Sequence, residues 1–241
     1  MFAYFVRHIR LFSLLIFPML ISGCSVFASS YPASEEAMLA SETATKTDWG
    51  WRFETTNTPS AQFIFYPGGK VEPLAYSLLA KALADNNIQV DLVDFPLDLA
   101  ITKSNIADDI LDNSMPSIIG GHSLGGAMAS RYLKKNWHKM DGLVLLASYS
   151  LESYELQDTT LPVLSIYGEL DLVAPVQDIL DKAPYLPADT EYLMIKGGNH
   201  GQFGSYGEQA DDGDALITSQ EQLTQTVDAI VAFITKVAGS E

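Results

Sequence analysis

The stretch IIGGHSLGG, residues 118–126, decides how this sequence is read. An apolar run enters it, glycines at Gly121 and Gly125 flank Ser123, and a helix-forming segment leaves it. Two descriptions fit: a serine armed as a nucleophile, or a small residue in a turn that needs glycine. A G-x-S-x-G pattern alone is weak, because average glycine and serine usage produces it by chance. Its context is the stronger part. A nucleophile elbow needs a strand before the serine, a helix after it and small neighbours, and Gly126 adds room for the helix to pack close.

The flanking sequence alternates apolar runs with amphipathic segments from Asp48 onward. Strands are predicted at WGWRFET (49–55), AQFIFY (61–66), IQVDLVDF (88–95), SIIGG (117–121), GLVLLAS (142–148), PVLSIYG (162–168) and EYLMIKG (191–197). Helices are predicted from Pro73 to Asp85, from Asn105 to Asp112 with Ser104 as N-cap, from Leu124 to Trp137, and near Val176–Lys182. A final helix begins at Thr218, where Glu221 completes a capping-box spacing. Such a pattern implies an α/β fold, a mostly parallel sheet covered on both faces. Functional groups in these folds gather at the carboxyl ends of strands. The places to look are therefore after Tyr66, Gly121, Tyr167 and Gly197.

A serine hydroxyl is a poor nucleophile until a base takes its proton. Histidine is scarce, at His8, His122, His138 and His200. His122 adjoins Ser123, and its side chain is expected to point away from the serine's. His138 closes a helix, where a cation suits the C-terminal dipole. His200, in KGGNHGQFG beyond the last strand, is the expected base. A carboxylate must orient it. YGELDLVAP offers Glu169 and Asp171; Asp171 has enough loop before it to turn inward and gives the order Ser–Asp–His, with Glu169 as the alternative. Asp91, Asp94 and Asp98 read as surface or helix-capping acids. For an oxyanion hole, Leu124 supplies one amide and the loop YPGGK supplies another, from Gly69 or Lys70.

No cofactor or metal is expected. The phosphate-loop spacing is absent and Val71 follows Lys70, which argues against nucleotide binding. The acidic stretch YGEQADDGDALIT (206–218) lacks EF-hand spacing and reads as a solvated loop. Tyr149, Tyr154, Phe203 and Tyr206 are candidates for an acyl or aromatic pocket, or for ordinary packing. Thirty acidic against 14 basic residues give a formal charge of −16, which repels nucleic acid and argues against it as a partner. The lone Cys24 excludes an internal disulfide and a cysteine-rich metal site.

The N-terminus reads as an address. Arg7 and Arg10 precede an apolar run from Leu11 to Ile21, the order of a secretory signal peptide. That run is about half the ~20 residues a spanning helix needs. It ends in ISGC, which resembles the lipobox of bacterial lipoproteins. The resemblance implies cleavage before Cys24, lipidation of that cysteine, and a place in the bacterial cell envelope facing away from the cytoplasm. An incidental cysteine near an ordinary cleavage site is the alternative. The expected organisation is a signal peptide at 1–23, a flexible tether at 24–47, within which EEAMLA can form a short helix, and one domain at 48–241.

Four elements agree with one another: FIFYPGGK, GGHSLGG, YGELD and GGNHGQFG. Together they resemble the α/β-hydrolase superfamily, in particular a compact branch similar to dienelactone hydrolases, over roughly residues 49–237. The resemblance implies the hydrolase fold, Ser123 as nucleophile, Asp171 and His200 as its partners, and Gly69 and Leu124 as oxyanion donors. The chain departs from dienelactone hydrolases at the nucleophile, typically cysteine there and serine here. Only residues 147–161 separate two core strands, so a long lid is not expected. The expected function is a lipid-anchored serine hydrolase of a small-molecule ester or related acyl substrate. The alternative is a non-catalytic envelope lipoprotein that keeps the fold for binding. Acyl-chain preference and oligomeric state are not encoded in these motifs.

Overall fold

Four of the apolar runs are buried along their whole length, and a strand of that kind needs cover on both faces. They are β3 (Ala61–Tyr66), β5 (Ser117–His122), β6 (Gly142–Leu146) and β7 (Val163–Gly168). In the computed structural model, which describes residues 29–239, they form the centre of one eight-stranded sheet. The remaining strands are β1 (Thr45–Lys46), β2 (Gly50–Phe53), β4 (Ile88–Val93) and β8 (Glu191–Ile195). The order is β1-β2-β4-β3-β5-β6-β7-β8. Strands β4, β3, β5, β6, β7 and β8 run parallel, while β1 and β2 add an antiparallel edge.

Strand alternation divides the core into two layers. Phe63 and Phe65 face one side, where they pack with Leu79, Leu83, Ile230 and Phe233. These come from α2 (Ser77–Ala84) and α6 (Ser219–Ala238). Ile64 and Tyr66 face the other side and meet Met128, Ala129 and Leu133 of α4 (Leu124–Asn136). Helix α6 starts where the sequence marks it: the Thr218 hydroxyl accepts from the Glu221 amide, and the Glu221 carboxylate accepts from the Thr218 amide. Helix α3 (Ala107–Ile110) starts later than its sequence suggests, and Ser104 is not its cap. The buried Tyr66 hydroxyl replaces it, accepting from the Ala107 amide and donating to the Ser104 carbonyl.

Two expectations need correction. The first is the tether at 24–47, because the chain is docked from Ser30 onward. The Ser30 hydroxyl bonds the Asp98 carboxylate, and Tyr31 pairs with the loop after β3 through its amide to the Lys70 carbonyl at 2.8 Å. Helix α1 (Glu35–Ser41), capped by Ser34, then packs on α2 with Ala37 and Ala40 buried. Small residues read as linker composition are what let α1 approach closely. The segment 1–23 and Cys24 lie outside the described residues.

The second correction is Asp91, which is not a surface acid but fully buried on β4. It sits opposite Arg52 of β2 in the antiparallel register. Its carboxylate accepts from Arg52 at 2.8 and 3.1 Å, from the Trp49 indole at 3.2 Å and from Gln62 at 2.6 Å. Replacing one partner of such a pair leaves an uncompensated charge. Arg52→Met should therefore lose about 3–5 kcal/mol in urea unfolding. Lys81→Gln, which breaks the exposed pair with Asp85, should lose less than about 1 kcal/mol in the same measurement.

Candidate active site

Strand β5 delivers Ser123 to the carboxyl edge of the sheet. The serine takes φ 51° and ψ −122°, a left-handed backbone that a non-glycine residue adopts only when its surroundings hold it there. They do. Its amide donates to the Leu146 carbonyl at 2.9 Å, and its carbonyl accepts from the Ser148 hydroxyl at 2.7 Å and the Ala127 amide at 3.2 Å. The flanking glycines serve close approach: a methyl at Gly121 would lie 2.5 Å from the Tyr66 carbonyl oxygen, and one at Gly125 only 2.0 Å from it. The Ser123 side chain does not cap α4, so its hydroxyl stays uncommitted to the helix.

The loops after β7 and β8 deliver a carboxylate and an imidazole. Asp171 and His200 are 2% and 1% exposed, and Asp171 Oδ2 lies 2.8 Å from His200 Nδ1. Asp171 Oδ1 accepts the amides of Val173 at 2.9 Å and Ala174 at 2.7 Å, so both carboxylate oxygens are held. With Nδ1 engaged, Nε2 is the ring edge left for proton exchange. Glu169 makes no hydrogen bond or ion pair with His200; its carboxylate accepts the Gly197 amide at 2.9 Å. His138 stands exposed at the end of α4.

The oxyanion candidates are side by side. A methyl on Gly69 would come within 3.4 Å of the Leu124 Cβ. Of the amides from Gly68 to Val71, three are committed: Gly68 to the Tyr76 hydroxyl at 3.0 Å, Lys70 to the Asp98 carbonyl at 2.8 Å, and Val71 to the Gly68 carbonyl at 3.3 Å. Among the described residues that leaves Gly69 as the donor without a partner, and Lys70 is removed from consideration. No hydrogen bond joins the Ser123 hydroxyl to His200, a contact that is commonly long until substrate binds. The two segments do meet through the neighbouring residue, since the His122 and His200 rings lie with centroids 4.4 Å apart.

Three supporting residues escaped the sequence. Asp212, in the supposed solvated loop, accepts the His200 amide at 3.3 Å, the Gly201 amide at 2.8 Å and the Leu172 amide at 3.4 Å, tying the loops after β7 and β8 together. A glycine-rich loop exposes amides that need an acceptor, and that was the available signal. His122 is buried with Nδ1 2.8 Å from the Tyr76 hydroxyl. Burial, and secondarily the nearby His200, hold its imidazole well below the ordinary range, while the His200 carbonyl acts weakly the other way. Burial also pushes the Tyr76 phenol up, opposed by its bond from Gly68.

The aromatic candidates divide by burial. Phe203 and Tyr206 are core residues, packed against His122 and Tyr31 respectively. Tyr149 and Tyr154 are half-buried on the stretch after β6. A groove of about 630 Å³ opens behind the His200 loop, between α2, Glu36, Asp214 and Leu223, and neither Ser123, Gly69 nor Leu124 lines it.

Residues 62–224, more than half of the chain and spanning β3 to α6, match the family model described as alpha/beta hydrolase family. No curated protein sequence matches the chain. Solved structures of the same fold include one described as a predicted CIB-like hydrolase from Thermoplasma acidophilum (TM-score 0.59, 15% identity, 78% of this chain and 96% of that one). A monoacylglycerol lipase from Paleococcus ferrophilus is similar at TM-score 0.58 and 16% identity, over 76% of this chain and 97% of that one. The esterase domain of a Rhodothermus marinus protein follows at 0.57 and 12%, over 76% and 90%. At these identities the likeness is one of fold. The family match extends through the loops that carry Ser123, Asp171 and His200, and by it the chain belongs to the alpha/beta hydrolase family.

Proposed function

We propose that the chain hydrolyses carboxylic esters or related acyl bonds, with Ser123 as nucleophile, and is held to the bacterial envelope through a lipidated Cys24. The observation that carries the catalytic part is the Asp171–His200 contact of 2.8 Å, buried at the same sheet edge as Ser123. Taking a carboxylate out of water is costly, and packing alone is served better by apolar residues. A catalytic imidazole needs that arrangement to fix its tautomer and to stabilise its cation.

In this reading Ser123 Oγ attacks the substrate carbonyl carbon while His200 Nε2 takes its proton. The carbonyl oxygen gains the charge and is met by the amides of Gly69 and Leu124. Collapse of the tetrahedral intermediate returns that proton to the departing alcohol and leaves an acyl-serine. Water then attacks the acyl carbon, His200 again accepts the proton, and the carboxylic acid departs as Ser123 is restored. Leu97, Ile101, Leu151, Leu172 and Val173 stand exposed on loops leaving β4, β6 and β7 at this edge, which supports an apolar substituent on the substrate. Serine in place of cysteine points, within a dienelactone-hydrolase-like branch, to ordinary esters rather than dienelactones.

The anchoring part rests on ISGC and on the length of the preceding apolar run. Among the described residues no helix is long and apolar enough to cross a membrane.

A fluorophosphonate probe should label the wild-type chain and fail to label Ser123→Ala; a folded wild-type chain that takes no label would favour the binding alternative. Asp171→Asn should keep the fold and lower kcat on p-nitrophenyl esters by about 10⁴-fold, because the imidazole then loses its tautomer control. Activity within tenfold of wild type would remove Asp171 from this role. Cys24→Ala should move the protein out of the membrane fraction, and unchanged fractionation would count against lipidation.

A further inference from the structure

His122 is a buried titratable side chain for which the proposed reaction has no use. It is 1% exposed and lies one residue before the nucleophile. Its Nδ1 is 2.8 Å from the Tyr76 hydroxyl, 46 residues away in sequence. The same hydroxyl accepts the Gly68 amide at 3.0 Å. An amide can only donate, so the phenol oxygen is the acceptor there, and among the described residues the one hydrogen-bond partner left to take the phenol proton is the imidazole. That assigns His122 Nδ1 as an acceptor, with the ring neutral and its proton on Nε2. Nε2 makes no hydrogen bond of good geometry among the described residues, and the His200 carbonyl, which favours the ring proton only weakly, is the acceptor nearest in effect. There is no slack in the cluster, since a methyl on Gly68 would lie 2.8 Å from both Nδ1 and the phenol oxygen.

We infer that His122 and Tyr76 form a latch that positions the oxyanion hole: the elbow strand, through His122, holds Tyr76, and Tyr76 holds the peptide next to Gly69. The inference rests on the hydrolase reading above. The two oxyanion donors come from different segments, Leu124 from the start of α4 and Gly69 from the loop after β3. Leu124 is fixed by following Ser123 in the chain. Gly69 has no such tie, and its amide must face the developing charge while making no bond of its own. Turning the Gly68 amide back onto Tyr76 does this, because it commits the neighbouring peptide to the far side of the loop. His122 closes the circuit by fixing the phenol proton. Its ring also lies against His200, so the strand, the oxyanion loop and the catalytic histidine share one contact. Both residues act through other groups and are positioning residues.

The test compares the full processed chain as wild type, Tyr76→Phe, Leu83→Ala and Ser123→Ala. Phenylalanine keeps the ring contacts with Phe65 and His122, at centroid distances of 5.0 and 5.8 Å, and removes only the hydroxyl. Leu83, fully buried in α2, the helix that follows Tyr76, but outside the site, reports plain destabilisation. On p-nitrophenyl butyrate, Tyr76→Phe should keep KM within about twofold and lose about 10–100-fold in kcat, somewhat less than complete removal of an oxyanion donor. Leu83→Ala should lower Tm with kcat within about twofold. Wild-type kcat in Tyr76→Phe, or an equal kcat loss in Leu83→Ala, overturns the latch. Long-range ¹H–¹⁵N spectra of the wild type supply a measurement that needs no variant and no activity. They should show His122 as the neutral Nε2–H tautomer from about pH 8 to pH 6; an Nδ1–H tautomer or an imidazolium overturns the inference. Turnover surviving in Ser123→Ala would instead end the hydrolase reading, and the spectra would still decide the latch.

Discussion

A carboxylate and an imidazole held 2.8 Å apart, both away from water, constrain everything around them. Buried charge is tolerated only when its remaining lone pairs are also satisfied. The loop after β7 therefore turns back so that the amides of Val173 and Ala174 reach Asp171. The loop after β8 must present His200 from the facing side, and it is glycine-rich because the two loops press together. A methyl on Gly168 would lie 2.6 Å from the Gly198 carbonyl oxygen. Asp212 then gathers the amides of His200, Gly201 and Leu172, joining the loops on their outer side. The sheet order makes this possible, since β7 and β8 are neighbours and parallel.

The same reasoning extends across the sheet to Ser123. Strands β3 and β5 are parallel neighbours, so the loop that carries Gly69 and the turn at Ser123 leave the sheet side by side. Glycine at 121 and 125 lets the β3 carbonyl at Tyr66 sit against the first turn of α4. Two short loops thereby share a wall of backbone. Within the first of these loops the amides of Gly68, Lys70 and Val71 are committed, whereas that of Gly69 has no hydrogen-bond partner among the described residues.

Much of this architecture was legible because it depends on local pattern. Apolar runs without a polar face became the central strands, and the Thr218–Glu221 spacing marked the start of α6. Glycines around Ser123, and an acid and a histidine placed just after the last two strands, pointed to the loops that carry the candidate site, where Asp171 and His200 meet. What escaped was contact between segments distant in the chain. Nothing local in EPLAYS announces that Tyr76 will meet His122, and nothing in QVDLV says that Asp91 will face Arg52. Ser104 looked like a cap because it precedes a helical pattern, yet a buried tyrosine from β3 reached those groups first. Alanine and serine before Asp48 looked like linker composition, whereas alanine at 37 and 40 is the small surface that a helix needs to sit on another.

That docked N-terminal segment has a mechanical consequence for an anchored protein. If residue 24 carries lipid, the leash is not the whole stretch to Thr47 but residues 24–29, which even fully extended reach only roughly 20 Å. The leash is also fastened at a particular point, through Ser30 to Asp98 and through Tyr31 to Lys70, beside the loop that carries Gly69. A domain moored in that way would have little freedom to roll, and the sheet edge that carries Ser123 would be kept close to the bilayer rather than swinging free in the surrounding fluid.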